Sequence, residues 1–262
     1  MLTNLVSQAK LFSVLNENLM ANIIGGIAQQ AVERIDGIRA QAGIVFSALI
    51  HNDPLLPNIP YHAELKTIFP YDECKENIEW RMESATFPRF IKMLSYPPYT
   101  MNLLRGIIFS VGGLSESLVW NYNENIMNYI LCLIFDLLYN IFDFSFQVKY
   151  SSVSLFSYLQ ELDELGLKSL CYKILNIFEE SHKNERMITS MLAFLDRLLS
   201  SGCIQVVLDD FENEIAEQIL ILLKQEIKNT NNTKLLISSI NVFCQLLQVV
   251  SIFQCLKLKI IK

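Results

Sequence analysis

The sequence is poor in the residues that punctuate a chain or carry out chemistry. Its 262 residues include three histidines, two tryptophans, nine glycines and seven prolines, and 18% are charged. So little glycine and proline excludes a collagen-like or low-complexity chain, and a hydrophobic content of 52% excludes disorder. The six cysteines, Cys74, Cys132, Cys171, Cys203, Cys244 and Cys255, contain no Cys-x-x-Cys pair. Neither a zinc site nor a redox motif is signalled, and a reduced, cytosolic chain is expected. Neither GxxxxGKS/T nor GxGxxG occurs, and Gly25–Gly26 and Gly112–Gly113 are bare pairs without a preceding strand, so no phosphate loop is expected. HExxH and GxSxG are missing as well. A net charge of −6 and a pI near 5.2 disfavour nucleic acid as a partner, because phosphate binding depends on clustered cations. Lys10 lies in the middle of the first twenty residues, without a basic start or a continuous apolar stretch, so no signal peptide is read there. A mean hydropathy of +0.30 is high for one isolated domain and suggests a surface meant to be covered.

What the sequence has is helical periodicity. Ala31, Ile35, Ile38, Ala42, Val45 and Leu49 are spaced 4, 3, 4, 3, 4, predicting one helix with one apolar face. Pro54, Pro57 and Pro60 in HNDPLLPNIPYH stop it. Short helices follow around HAELKTIF and ATFPRFIKMLS, with Pro88 in a first turn, a charged loop holding Trp80 between them, and Pro97–Pro98 as the close. From Tyr99, two helices broken at Gly112–Gly113 predict an αα-hairpin. A helix through Ile188, Met191, Leu192, Leu195, Leu198 and Leu199 ends at Gly202. Another runs through Ile215, Ile219, Leu222, Leu223 and Ile227, with Asp210, Glu212 and Glu214 expected in its first turn and Lys224 and Lys228 in its last. The NTNNT loop separates it from a third, through Leu236, Ile240, Phe243, Leu247 and Val250. The fold class expected is all-α, an α-solenoid of antiparallel helix pairs of HEAT or armadillo type, although no fixed repeat period is visible.

Two stretches stand apart. Residues 126–146 are dense in Leu, Ile and Phe, but Asp136, Asn140, Asp143 and Gln147 recur along one helical face. Each central Asp would cost about 2.5–3.5 kcal/mol in a bilayer, so a buried or partner-facing helix is expected instead of a membrane span. CLKLKIIK alternates apolar and basic residues; Lys257, Lys259 and Lys262 there are read as a solvated end.

No constellation supports catalysis. The histidines His51, His62 and His182 lack ligand spacing, and only an arbitrary fold would join Cys203 to His182 or Cys74 to His62 as dyads. Carboxylates cluster at Glu161, Asp163 and Glu164 and at Asp209, Asp210, Glu212 and Glu214, where helix N-termini and solvated faces account for them. Phe109, Trp120, Tyr122 and Tyr129 are read as core. The residues by themselves point to a helical interaction protein with no catalytic, cofactor-binding or metal residues.

Six segments in order, QQAVERIDGIRAQAGIVFSALIH, IPYHAELKTIFP, FPRFIKMLS, GIIFSVGGLSESL, LLSSGC and KQEIKNTNNTKLLISSINVFCQLLQ, resemble the C-terminal region of the tubulin-folding cofactor D family. The resemblance covers about residues 28–129 and 167–248. It divides the chain into a helical lead-in (1–27), a first family-like part (28–129), an atypical apolar insert (130–153), a second family-like part (154–248) and an atypical tail (249–262), the insert and the tail being odd enough in composition to suggest translated non-coding sequence. It implies a HEAT- and armadillo-like chaperone that binds β-tubulin after the chaperonin. With cofactors E and C and a small Arf-like GTPase, such a chaperone would assemble and disassemble the αβ-tubulin dimer and stimulate GTP hydrolysis by tubulin. It also implies a cytoplasmic protein associated with microtubules or centrosomes, no catalytic site of its own and no bound cofactor. It carries over no tubulin-contact residues. The alternative is a generic helical-repeat scaffold without tubulin specificity; a membrane-associated protein and an enzyme rank behind it.

Overall fold

The computed structural model describes residues 16–76, 78–113, 144–182, 184–209 and 214–250. Among these residues there are twelve α-helices, one 3-10 turn and no strand. The helices pack in pairs, and the fold is all-α, of the α-solenoid type. The chain divides into two compact units, Met1–Ser110 with Lys149–Ser154, and Val111–Val148 with Leu155–Lys262.

The first unit opens with α1 (Glu17–Ala31), capped by Asn16, whose side chain accepts from the Leu19 amide at 2.9 Å. A four-residue turn folds α2 (Asp36–Ile50) back onto it. This corrects the single helix read from Ala31 to Leu49. Ala31 closes α1, and Ile35 and Ile38 are 58% and 41% exposed. The buried face of α2 is instead Arg39, Ala42, Gly43, Phe46, Leu49 and Ile50. Spacing alone could not find the break, because α1 and α2 are both amphipathic and their stripes run on in phase across the turn.

The proline loop ends α2 as expected, and α3 (His62–Ile68) and α4 (Tyr71–Glu76) follow. Pro88 departs from expectation: α5 (Glu83–Lys92) begins early enough to place it mid-helix, where it deprives the Ser84 carbonyl of its helical donor. A 3-10 turn (Met93–Ser95) leads to α6 (Pro97–Gly112), so the Pro97–Pro98 pair opens a helix as well as closing the one before. Gly106 lets α6 lie close to α1: a Cβ there would come within 2.6 Å of the Gln29 carbonyl oxygen and of Val32. Tyr99, fully buried on α6, donates its hydroxyl to the Pro60 carbonyl at 2.6 Å and so pins the proline loop.

The second unit contains most of α7 (Phe144–Glu161), then α8 (Glu164–Ser181), α9 (Glu185–Ser201), α10 (Gln205–Leu208), α11 (Ile215–Asn229) and α12 (Thr233–Val249). Here the local signals are orderly. Asp163, Asn184 and Asn232 cap α8, α9 and α12 through side-chain acceptors, and Gly202 ends α9 in the left-handed region at φ 69°. All six apolar residues read for α9 are buried. α9 packs on α8 and α12, and α11 packs on both of those. Gly112 belongs to this unit and is needed for close approach, since a Cβ there would run into the backbone of Ser190 on α9. The second half of the expected hairpin lies outside the described residues, as do the run at 126–143, Trp120, Tyr122, Tyr129, Asp210, Glu212 and CLKLKIIK.

Two faces in this unit are corrected. On α11, Ile215, Ile219 and Leu223 are buried as expected, but Glu226 joins them, with Leu222 and Ile227 only half-buried. The acidic residue in its first turn is Glu217, while Glu214 takes the N-cap position without a side-chain bond. On α12 the buried residues are Leu235, Ser239, Val242 and Leu246. The stripe read from sequence is rotated off the core: Ile240 and Leu247 are 43% and 40% exposed.

Candidate interaction surfaces

The groups that sequence reasoning set aside as candidate dyads have separate partners. His182 ends α8 and shares a 2.7 Å hydrogen bond between its Nδ1 and Oε2 of Glu226 on α11, with its ring stacked 5.2 Å from that of Phe178. Cys203 is held instead by Ser201, whose hydroxyl lies 2.9 Å from the sulfur. Nε2 of His62 meets the Ile50 carbonyl at 2.6 Å, and Nε2 of His51 meets the Phe69 carbonyl at 2.8 Å, while Cys74 is buried. Burial pushes the Cys171 thiol up to about 12, and nearby Cys203 adds to the shift. Cys203 and Cys74 are raised by burial too, against opposing bonds to Ser201 and Ser47. At neutral pH these three sulfurs are thiols, which are poor nucleophiles. No group of three or more His, Cys, Asp or Glu side chains among the described residues is placed to hold a metal.

The acidic clusters serve local structure where they are described. Asp163 caps α8 through the Gly166 amide at 2.9 Å, and Glu164 pairs with Lys168 one turn on at 2.8 Å. Asp209 accepts from the Gln205 side chain at 2.8 Å.

The most elaborate polar centre went unread from the sequence. Arg39 is fully buried and spends four hydrogen bonds joining two segments. Nη1 donates to the carbonyls of Glu33 at 2.9 Å and Arg34 at 3.2 Å; Nη2 donates to the Arg81 carbonyl and to Glu83 Oε1 at 2.7 Å. Burial pulls the guanidinium below its usual value while Glu83 and Asp36 push the other way. In the same unit Phe46, Phe69, Phe90 and Trp80 form one aromatic cluster with centroids 4.8–6.4 Å apart. Trp80, read as a loop residue, is 6% exposed and lies against Gly43, leaving no room there for a Cβ. The signal for Arg39 was its register, three residues before Ala42 and seven before Phe46, but a charged residue does not count in an apolar pattern. Glu226 was hidden in the same way.

The surfaces offer two kinds of site. A shallow cleft of about 410 Å³ in the first unit runs past Thr67, Glu73, Pro88, Arg89 and Lys92. Its arginine is already committed, to the Ile68 carbonyl at 2.8 Å and to Glu73. Exposed apolar side chains are the more prominent feature. In the first unit Ile35 and Met82, 58% and 49% exposed, flank the segments that Arg39 joins. In the second, Leu165, Val206 and Ile237 are more than half exposed. Such surface suits protein contacts more than small-molecule chemistry. Among the described residues no helix is long and apolar enough to cross a membrane.

The chain matches the family model for the tubulin folding cofactor D C terminal over residues 21–139 and 146–235. The match therefore continues into the stretch 130–153, where the resemblance was expected to lapse, and is interrupted only at 140–145. The tubulin-specific chaperone D of Dictyostelium discoideum is 26% identical over 236 residues, 88% of this chain but 14% of that protein. No solved structure matches. With a helical fold throughout the described residues and the family matched across both units, the chain belongs to the tubulin folding cofactor D C-terminal family.

Proposed function

We propose that this chain is a tubulin-chaperone module that binds β-tubulin through its helical surface. In this reading it acts after the chaperonin, with cofactors E and C and a small Arf-like GTPase, in assembling and disassembling the αβ-tubulin dimer. Stimulation of tubulin's GTP hydrolysis would belong to that complex, the chain supplying binding surface and no catalytic group or cofactor. Its place would be the cytoplasm, at microtubules or centrosomes. The observation that carries the reading is the family match over most of the chain. The fold agrees with it: exposed apolar side chains on paired helices can bind an unfolded or half-assembled client by differential contact along a surface. In the same reading the chain is organised as a lead-in (1–27), two family parts (28–129 and 154–248), an insert (130–153) and a tail (249–262).

Co-expression with β-tubulin followed by size-exclusion chromatography tests the reading. Co-elution at a defined size is expected. A folded, helical chain that elutes without tubulin, while still binding other proteins in an unbiased crosslinking experiment, would replace it with a general helical scaffold.

A further inference from the structure

Pro88 lies where α5 borders the shallow cleft of the first unit, and it changes what that wall can bind. Ser84, Pro88 and Lys92 recur four residues apart and line the cleft along one face of the helix, with Ile68, Pro70 and Ile78 completing an apolar lining. In an unbroken helix the amide of residue 88 would satisfy the Ser84 carbonyl, but proline has no amide hydrogen to give. A main-chain acceptor without its helical donor therefore stands towards one end of the wall. Towards the other end is Lys92, exposed and without an ion pair or hydrogen bond among the described residues. The other two charges of the lining cancel, because Arg89 is paired with Glu73 and donates to the Ile68 carbonyl at 2.8 Å. Those two bonds also tie α5 to α3 and α4, so the walls are fixed before a ligand enters.

We propose that this cleft binds an extended acidic peptide segment of a partner protein. The segment lies along α5, with a backbone N–H on the Ser84 carbonyl and an Asp or Glu carboxylate on Lys92. Chemistry selects this occupant. The carbonyl calls for a donor, the ammonium for an anion, and the surface between them for apolar contact with the Pro88 ring. A lone phosphate or carboxylate would satisfy Lys92 and leave the carbonyl facing another acceptor. Length agrees as well. From Ser84 to Lys92 is eight residues of helix, or about 12 Å, which an extended chain covers in roughly four residues. A cavity of about 410 Å³ suits such a short segment, not a folded surface. The site belongs wholly to the first unit and goes beyond the tubulin reading, since it specifies the chemistry of a segment whichever protein carries it.

A phage-displayed library of random twelve-residue peptides, panned on the full chain and counter-selected on bare support, supplies the probe. Enriched peptides are expected to share an Asp or Glu three to five places from an apolar residue. A fluorescein-labelled copy of the most enriched peptide should bind about tenfold more weakly after Lys92→Glu, which sets like charges together. Lys224→Glu, on α11 of the second unit, is the control and should leave binding unchanged. Pro88→Ala separates recognition from packing. It returns an amide to the Ser84 carbonyl, so the urea midpoint should rise while affinity for the peptide falls about fivefold, the worth of one hydrogen bond. A proline with only a structural role would leave the affinity as it was. The proposal is overturned by no enrichment over the bare support, by enriched peptides without a shared acid, or by binding that neither Lys92→Glu nor Pro88→Ala weakens. Binding lost equally in Lys224→Glu would overturn it too, by showing a general response to charge.

Discussion

The two units are held together by different means. The second is a stack of amphipathic helices in which Asp163, Asn184 and Asn232 mark the starts of α8, α9 and α12, Gly202 marks the end of α9, and the core is mostly aliphatic. The first gathers shorter helices and a proline loop around an aromatic cluster and one buried guanidinium. Repetitive packing spreads its stabilisation over many similar contacts. A polar centre concentrates it, because every group it gathers is left unsatisfied when the centre is lost. The two units should therefore differ sharply in their sensitivity to single substitutions.

The largest effect is expected at Arg39. Arg39→Met keeps the length and apolar volume but leaves the Glu83 carboxylate and three carbonyls without their donor. Removing one partner of a buried ion pair costs about 3–5 kcal/mol. In a Trp120→Phe background Trp80 is the only tryptophan and reports on the first unit alone. Urea unfolding followed by its fluorescence should show a much lower midpoint for Arg39→Met, with the helical signal of the second unit retained. A midpoint unchanged by the substitution would mean that the aromatic cluster suffices without the guanidinium.

A pair of glycine-to-alanine changes sharpens the contrast at smaller cost. At Gly43 a methyl group would enter the space of the Trp80 indole, and overpacking of this kind costs about 1–3 kcal/mol. At Gly202 nothing lies within 4 Å of a built Cβ, so the cost is only that of forcing a left-handed residue, about 1 kcal/mol. The first change should shift the Trp80 transition, the second only that of α9 and its neighbours. Equal effects would undo the distinction between a concentrated and a distributed core.

These sites also show what was legible in the sequence. α9 could be read almost residue by residue, since its stripe is wholly apolar and Gly202 marks its end. The break between α1 and α2 could not, because the turn at 32–35 has neither proline nor a glycine pair and the apolar spacing runs straight through it. On α12 periodicity found a helix but chose the wrong face, as both sides are apolar and a single sequence does not say which one meets α9. Arg39, Glu226 and Trp80 were lost for a common reason: a polar or loop residue becomes part of a core only through partners distant in sequence, such as Arg81, His182 and Gly43. The candidate surfaces depended on knowing which apolar residues stay exposed, and the chaperone reading came from family resemblance, not from pattern.

The smallest effect expected is a pH dependence in the first unit. Burial lowers the pKa of His51 below its ordinary 6.5, with Lys66 and His62 acting in the same direction and the bond to the Phe69 carbonyl opposing. A carbonyl only accepts, so Nε2 of His51 carries the proton in that bond, and the neutral ring already satisfies it. Below 6.5 the unfolded chain takes up a proton more readily than the folded one, so stability is complete above that pH and declines as pH falls through it. Other groups titrate over the same range, and the contribution of His51 is isolated by comparison with His51→Gln, whose amide can still donate to Phe69 but cannot be charged. Trp80-monitored unfolding between pH 7.5 and 5.5 should fall more steeply in the unaltered chain than in His51→Gln. Parallel slopes would show that the ring takes up its proton without cost, and that the core beside Phe69 admits more water than its packing implies.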